Sequence, residues 1–77
     1  KSLGIDSSDA FAWNIKGKAL IALGKYAEAL DCFVQSIELD SQNAEVWNNK
    51  GIVLEKLGQS SEANTAYDKS KELGLIA

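Results

Sequence analysis

Asn14 and Asn48 carry side chains suited to recognition without proton transfer. Each amide offers two N–H donors and an acceptor oxygen, a set that pairs with the backbone of an extended peptide. They stand in matching surroundings, WNIKGKAL at residues 13 to 20 and WNNKGIVL at residues 47 to 54, an offset of 34. The same amides serve equally as solvated surface groups or as bonds to a neighbouring helix. Close by, Phe11, Ile15, Lys18 and Ala22 follow one another at i, i+4, i+7 and i+11, one stripe on one helical face. That stripe can anchor an apolar ligand side chain. It has two other readings, a contact with a further unit upstream and an intrahelical contact that a longer chain would partly cover.

Acid–base and nucleophilic chemistry have little to work with. The chain has one cysteine, no histidine and no arginine, so a Cys-His or Ser-His nucleophile, the usual zinc sets and an internal disulfide cannot be assembled. Cys32 has no basic neighbour in the adjacent sequence to lower its pKa, and is read as a small buried filler rather than a reactive thiol. The carboxylates are scattered, with no sign of a buried pair. No catalytic residue, metal site or cofactor is expected, and the chain is read as a non-enzyme. Eight lysines against eleven acids leave a net charge of −3, which offers no basic stripe to phosphate backbones, so no nucleic-acid partner is expected. The apolar runs fall far short of the ~20 residues a bilayer span needs, and no leader precedes the repeats. The expectation is a soluble, cytoplasmic chain without a membrane partner.

The elements that would position these residues are written twice. Ala10, Trp13, Lys16, Gly17, Leu20, Gly24, Ala29, Ser36 and Leu39 all recur at the same offset of 34. Asp9 and Asn43 are N-cap residues, each offering a side-chain oxygen to orphan first-turn amides, so first helices are predicted from near residues 10 and 44. Gly24 and Gly58 stop them and turn the chain into second helices over residues 26 to 39 and 60 to 73. The spacing of Tyr26, Ala29, Leu30, Phe33, Ser36 and Ile37 is helical, and no strand is predicted. A mid-helix glycine costs about 1 kcal/mol relative to alanine. Gly17 and Gly51 incur that cost in register, which calls for close backbone contact; Ala29 and Ala63 are the expected partners.

These residues resemble the tetratricopeptide repeat, a helix-turn-helix unit of about 34 residues with the pattern W-x2-L-G-x2-Y, then A-x3-F, then P. Trp13, Gly17, Ala29 and Phe33 match in the first copy, and Trp47, Gly51, Ala63 and Tyr67 in the second. Lys16 and Lys50 replace the usual Leu, Leu20 and Leu54 the usual Tyr, and Ser41 and Leu75 the usual Pro. Lysine stems can cover apolar surface, and Ser41 gives a looser exit from the second helix than Pro would.

The resemblance implies an all-α, alpha-alpha superhelix of two helix-turn-helix repeats (four helices), residues 10–43 and 44–77, with residues 1–9 as the tail of a preceding repeat in a longer array. It implies a protein–protein interaction scaffold that binds a peptide or partner protein on the concave surface of the first helices. The inner positions map to Phe11, Asn14, Ile15, Lys18, Ile21 and Ala22, and to Glu45, Asn48, Asn49, Ile52, Glu55 and Lys56. The expected ligand contacts are Phe11, Asn14, Ile15, Lys18, Asn48, Asn49 and Ile52. Some members clamp a C-terminal carboxylate with Lys, Arg and Asn from successive repeats; two repeats, no Arg, and Glu45 and Glu55 on the same surface argue against carrying that specificity over. Trp13 and Trp47 are read as core.

In the second copy Leu30, Val34 and Ile37 become Asn64, Asp68 and Lys71, while Ala63, Ala66, Tyr67, Ser70 and Leu73 keep one apolar stripe. Terminal repeats need a polar outer face, so residues 60 to 73 are read as a C-terminal cap, with Lys69 and Lys71 suiting the negative end of the helix dipole. The apolar first helix offers an alternative function, a self-association module in which that face drives homo-oligomerisation.

Overall fold

The computed structural model describes residues 7–74. Ser2, Ile5 and Asp6 of the expected tail, and Leu75, lie outside them. Four helices follow in order, α1 (Ser7–Ala22), α2 (Tyr26–Leu39), α3 (Ala44–Lys56) and α4 (Ser60–Glu72), and there is no strand among the described residues. Asn43 caps α3 as its residue type suggests, its Oδ1 accepting the Glu45 N–H at 3.0 Å. Asp9 does not cap α1. The helix begins at Ser7, which puts Asp9 in the first turn; a carboxylate is stabilised there by the same positive helix end that it would face as a cap.

Both tight turns close in the same way. Gly24 adopts φ +79° and Gly58 φ +84°, left-handed values that cost a residue with a Cβ about 1–2 kcal/mol. In the first turn the Lys25 N–H reaches the Leu20 carbonyl at 2.9 Å and the Gly24 N–H the Ile21 carbonyl at 3.0 Å. The second repeats this with Gln59 to Leu54 at 2.8 Å and Gly58 to Glu55 at 3.0 Å. This is the paired bonding of a Schellman motif, which satisfies the last carbonyls of each first helix.

Within each hairpin the helices are drawn together at a glycine. A Cβ on Gly17 would lie 2.5 Å from Phe33 Cε1, and one on Gly51 would lie 2.6 Å from Tyr67 Cε1. The nearest neighbours are these rings, which stand where the missing side chain would be. Ala29 and Ala63, the partners expected from the sequence, are fully buried one turn earlier. Ser36 Oγ then donates to the Ala10 carbonyl at 2.7 Å and Ser70 Oγ to the Ala44 carbonyl at 3.0 Å, pinning the far end of each hairpin.

The two hairpins stack through α2 and α3. Ala29, Phe33, Val46 and Val53 form one buried cluster, joined by Leu20, Ile21, Tyr26, Leu30 and Ile37. Leu54, Ala63 and Ala66 form another with Leu30, Trp47 and Tyr67. Leu30 belongs to both, so α2 packs on two sides. On α4 the matching Asn64, Asp68 and Lys71 are exposed. The link at residues 40 to 43 carries two hydrogen bonds of its own. Asp40 Oδ1 accepts the Gln42 N–H at 3.1 Å, and the Ser41 carbonyl accepts the Trp47 indole N–H at 2.9 Å.

Gly17→Ala is expected to destabilise the chain by about 1–2 kcal/mol in urea unfolding, because overpacking the buried Phe33 ring outweighs the gain in helix propensity. Phe33→Leu should soften that cost without changing the cost of Gly24→Ala, whose origin is backbone strain; equal softening of both would contradict the ring contact.

Candidate functional site

Because α1 and α3 are equivalent in the two hairpins, their outward faces lie side by side, and two ties join them. Lys18 Nζ donates to Glu45 Oε2 at 3.0 Å, each side chain half exposed. Asn49 Nδ2 donates to Asn14 Oδ1 at 3.0 Å. Asn14 is wholly buried, and its Nδ2 has no protein partner. An unpaired buried donor of this kind carries a desolvation penalty of about 1–3 kcal/mol.

The seven expected contact residues thus occupy three different situations. Phe11 and Ile15 stand well exposed, at 57% and 49%, one turn apart on α1. Asn48 and Ile52 are half-buried on α3. Lys18, Asn14 and Asn49 spend hydrogen-bonding capacity on the ties between the first helices. The equivalence of Asn14 and Asn48 in sequence does not extend to burial, since Asn14 has α3 beside it. Of the remaining inner positions, Ile21 packs against the first core cluster, Ala22 and Lys56 are exposed, and Glu55 Oε1 accepts the Tyr67 hydroxyl at 2.9 Å. Burial and then that bond to Glu55 push the Tyr67 phenol up from its ordinary pKa.

Trp13 and Trp47, expected in the core, are half-buried. Trp47 packs against the second core cluster, and each indole has a lysine over its face: Lys16 Nζ sits 5.4 Å from the Trp13 ring centre, and Lys50 Nζ 5.1 Å from that of Trp47, within the range of a cation–π attraction. Beside Trp13 lies a groove of about 510 Å³ lined by Asp9, Ala12, Trp13, Lys16, Gln35, Glu38 and Leu39. Sequence reasoning missed it; the signal was Gln35, which stands where the second copy has Lys69, whose Nζ lies 6.0 Å from the Trp47 ring. Cys32 is buried. Burial raises its thiol pKa, Asp31 and Glu28 add to the rise, and Lys16 opposes it. No group of three or more His, Cys, Asp or Glu among the described residues could hold a metal ion, and no described helix is long and apolar enough to cross a membrane.

The paired glycine–aromatic contacts, the 34-residue period and the stacked hairpins find their counterpart in sequence families. The family profile described as "TPR repeat" matches residues 17–58, and that described as "Tetratricopeptide repeat" matches residues 44–73. The chain belongs to the tetratricopeptide-repeat family. As a TPR chain it is a protein-interaction scaffold of helical hairpins. Among curated proteins nothing matches it by sequence. Among solved structures it is similar to the first TPR of Spaghetti (RPAP3), bound to the HSP90 peptide SRMEEVD, with a TM-score of 0.87 and 26% identity over 90% of this chain. The match spans 56% of that other chain, so the TPR unit described here corresponds to little more than half of it.

Asn14→Ala should destabilise this TPR unit by about 1–3 kcal/mol in urea unfolding, since it empties a fully buried site and leaves the Asn49 Nδ2 without its acceptor. A loss below about 0.5 kcal/mol would mean that the bond contributes nothing to joining the repeats.

Proposed function

We propose that the face formed by α1 and α3 is a concave peptide-binding groove, in which Phe11, Ile15, Asn48 and Ile52 contact a partner's extended segment while Asn14, Lys18 and Asn49 hold the two repeats at the angle the groove needs. The observation that carries this is the exposure of Phe11 and Ile15 side by side on a family scaffold. Removing two large apolar side chains from water is worth about 1.5–3 kcal/mol each, and no part of the described chain covers them. The structural neighbour with a peptide bound supports the same reading. The lone unpaired thiol is consistent with a cytoplasmic setting.

Titrating the isotopically labelled chain with peptides recovered from a displayed random library is expected to shift the amides of Phe11, Ile15, Asn48 and Ile52. Asn48→Ala should weaken binding about two- to ten-fold, the range for one hydrogen bond. Shifts confined to the groove beside Trp13 would overturn the proposal.

The same exposed pair favours a second reading, association of two copies through α1. The polar α4 face supports residues 60 to 73 as a cap, because Asn64, Asp68 and Lys71 offer a further unit no apolar surface of the kind Leu30 and Ile37 provide on α2. With that cap, the repeats at residues 10–43 and 44–77 associate only through the α1 side, where residues 1–9 are read as the remnant of another repeat. Sedimentation equilibrium is expected to give growth that stops at a dimer and is abolished by Phe11→Glu. Mass that rises without limit would argue against the cap, and a monomer at millimolar concentration against self-association.

A further inference from the structure

Two of the four charged groups of this face are committed to each other, and the four together cancel. Lys18 is paired with Glu45 across the repeats at 3.0 Å, and Glu55 is held by the Tyr67 hydroxyl at 2.9 Å. Lys56 is the one other cation among the inner positions. It sits in the last turn of α3, where the negative end of the helix dipole already attracts it, and beside Glu55 in sequence. Two lysines and two glutamates make the face neutral. Two of the three amides are spent as well: Asn49 donates to Asn14, the remaining Asn14 donor is sealed from solvent, and the half-buried Asn48 keeps its amide for a ligand. What stands most open to a ligand is apolar, Phe11 and Ile15.

We propose that this groove selects a neutral segment of a partner protein by an apolar anchor side chain seated on Phe11 and Ile15, and disfavours acidic C-terminal segments because Glu45 already pairs with Lys18 and the face carries no net positive charge. The inference rests on the peptide-groove reading above and specifies its ligand class. An acidic chain end would have to share the Lys18 ammonium with Glu45 on a face that also carries Glu55, whereas an uncharged apolar side chain loses nothing to the Lys18–Glu45 pair. The peptide in the structural neighbour, SRMEEVD, is of the disfavoured kind, with three acidic side chains and a carboxylate end. The resemblance in fold therefore does not extend to that choice of ligand.

The test is selection from a random dodecapeptide library displayed with free C-termini, on the full chain and in parallel on Glu45→Gln, Phe11→Ser and Ile15→Ser, with helix content checked by circular dichroism. Phe11 and Ile15 are both well exposed, so each serine variant reports on the anchor independently of the other. The expected outcome on the native chain is enrichment of peptides that share an apolar residue, without enrichment of Asp or Glu at the end. Synthetic copies should bind about ten-fold or more weaker to each serine variant, the scale set by burying one large apolar side chain. Glu45→Gln should raise affinity for SRMEEVD about two- to five-fold, the range for one exposed ion pair. Native-chain enrichment of acidic ends whose binding is lost in Lys18→Ala would overturn the selectivity and leave the groove standing. A selection that enriches nothing above the Phe11→Ser and Ile15→Ser controls would overturn the groove itself and the selectivity with it.

Discussion

Two helices of a hairpin can approach closely only where one of them gives up a side chain, and in this TPR unit that concession is made at Gly17 and Gly51. The Phe33 and Tyr67 rings fill the vacated space, leaving no room for even a methyl group. This contact sets the spacing within each hairpin, and the rest of the architecture is built on that spacing. It brings Ser36 and Ser70 within reach of the first-turn carbonyls of Ala10 and Ala44, and it lets the left-handed Gly24 and Gly58 close each turn without a longer loop. Tyr67 adds a polar handle that Phe33 lacks, its hydroxyl reaching the exposed Glu55 of α3.

Stacking the two hairpins asks something different of the sequence. Whereas α4 carries one apolar stripe, α2 packs on its own hairpin and on the next, and it does so by carrying Leu30 and Ile37 beyond the stripe centred on Ala29 and Phe33. Leu30 contributes to both clusters, so hydrophobic burial runs unbroken from one repeat to the other. The linker is held by short-range polar bonds, with Asp40 turning the chain and the Ser41 carbonyl receiving the Trp47 indole.

Placing two first helices side by side has a consequence for their polar residues. Lys18 and Asn14 meet Glu45 and Asn49 because stacking brings α3 beside α1. Groups that would be free on an isolated hairpin are used in joining hairpins, and the apolar residues between them are what remain available. The function we propose follows from this division of labour, in which polar residues set the geometry and apolar ones receive the partner.

The sequence by itself determined the repeat, the four helices to within a few residues, the glycine turns, the burial of Cys32 and the different outer faces of α2 and α4. These depend on local propensity and on a period that appears twice, so they need no knowledge of what lies across the fold. Misreadings arose where a neighbour distant in sequence decides. The start of α1 at Ser7 rather than beside Asp9 reflects a dipole that accepts a carboxylate in either place. That a ring stands nearest to Gly17 depends on how α2 lies on α1. The half-burial of Trp13 and Trp47, each with a lysine ammonium over its indole, depends likewise on how the hairpins pack. The different fates of Asn14 and Asn48, identical in local sequence, were decided only by tertiary structure, because α3 covers the first and no further first helix among the described residues covers the second.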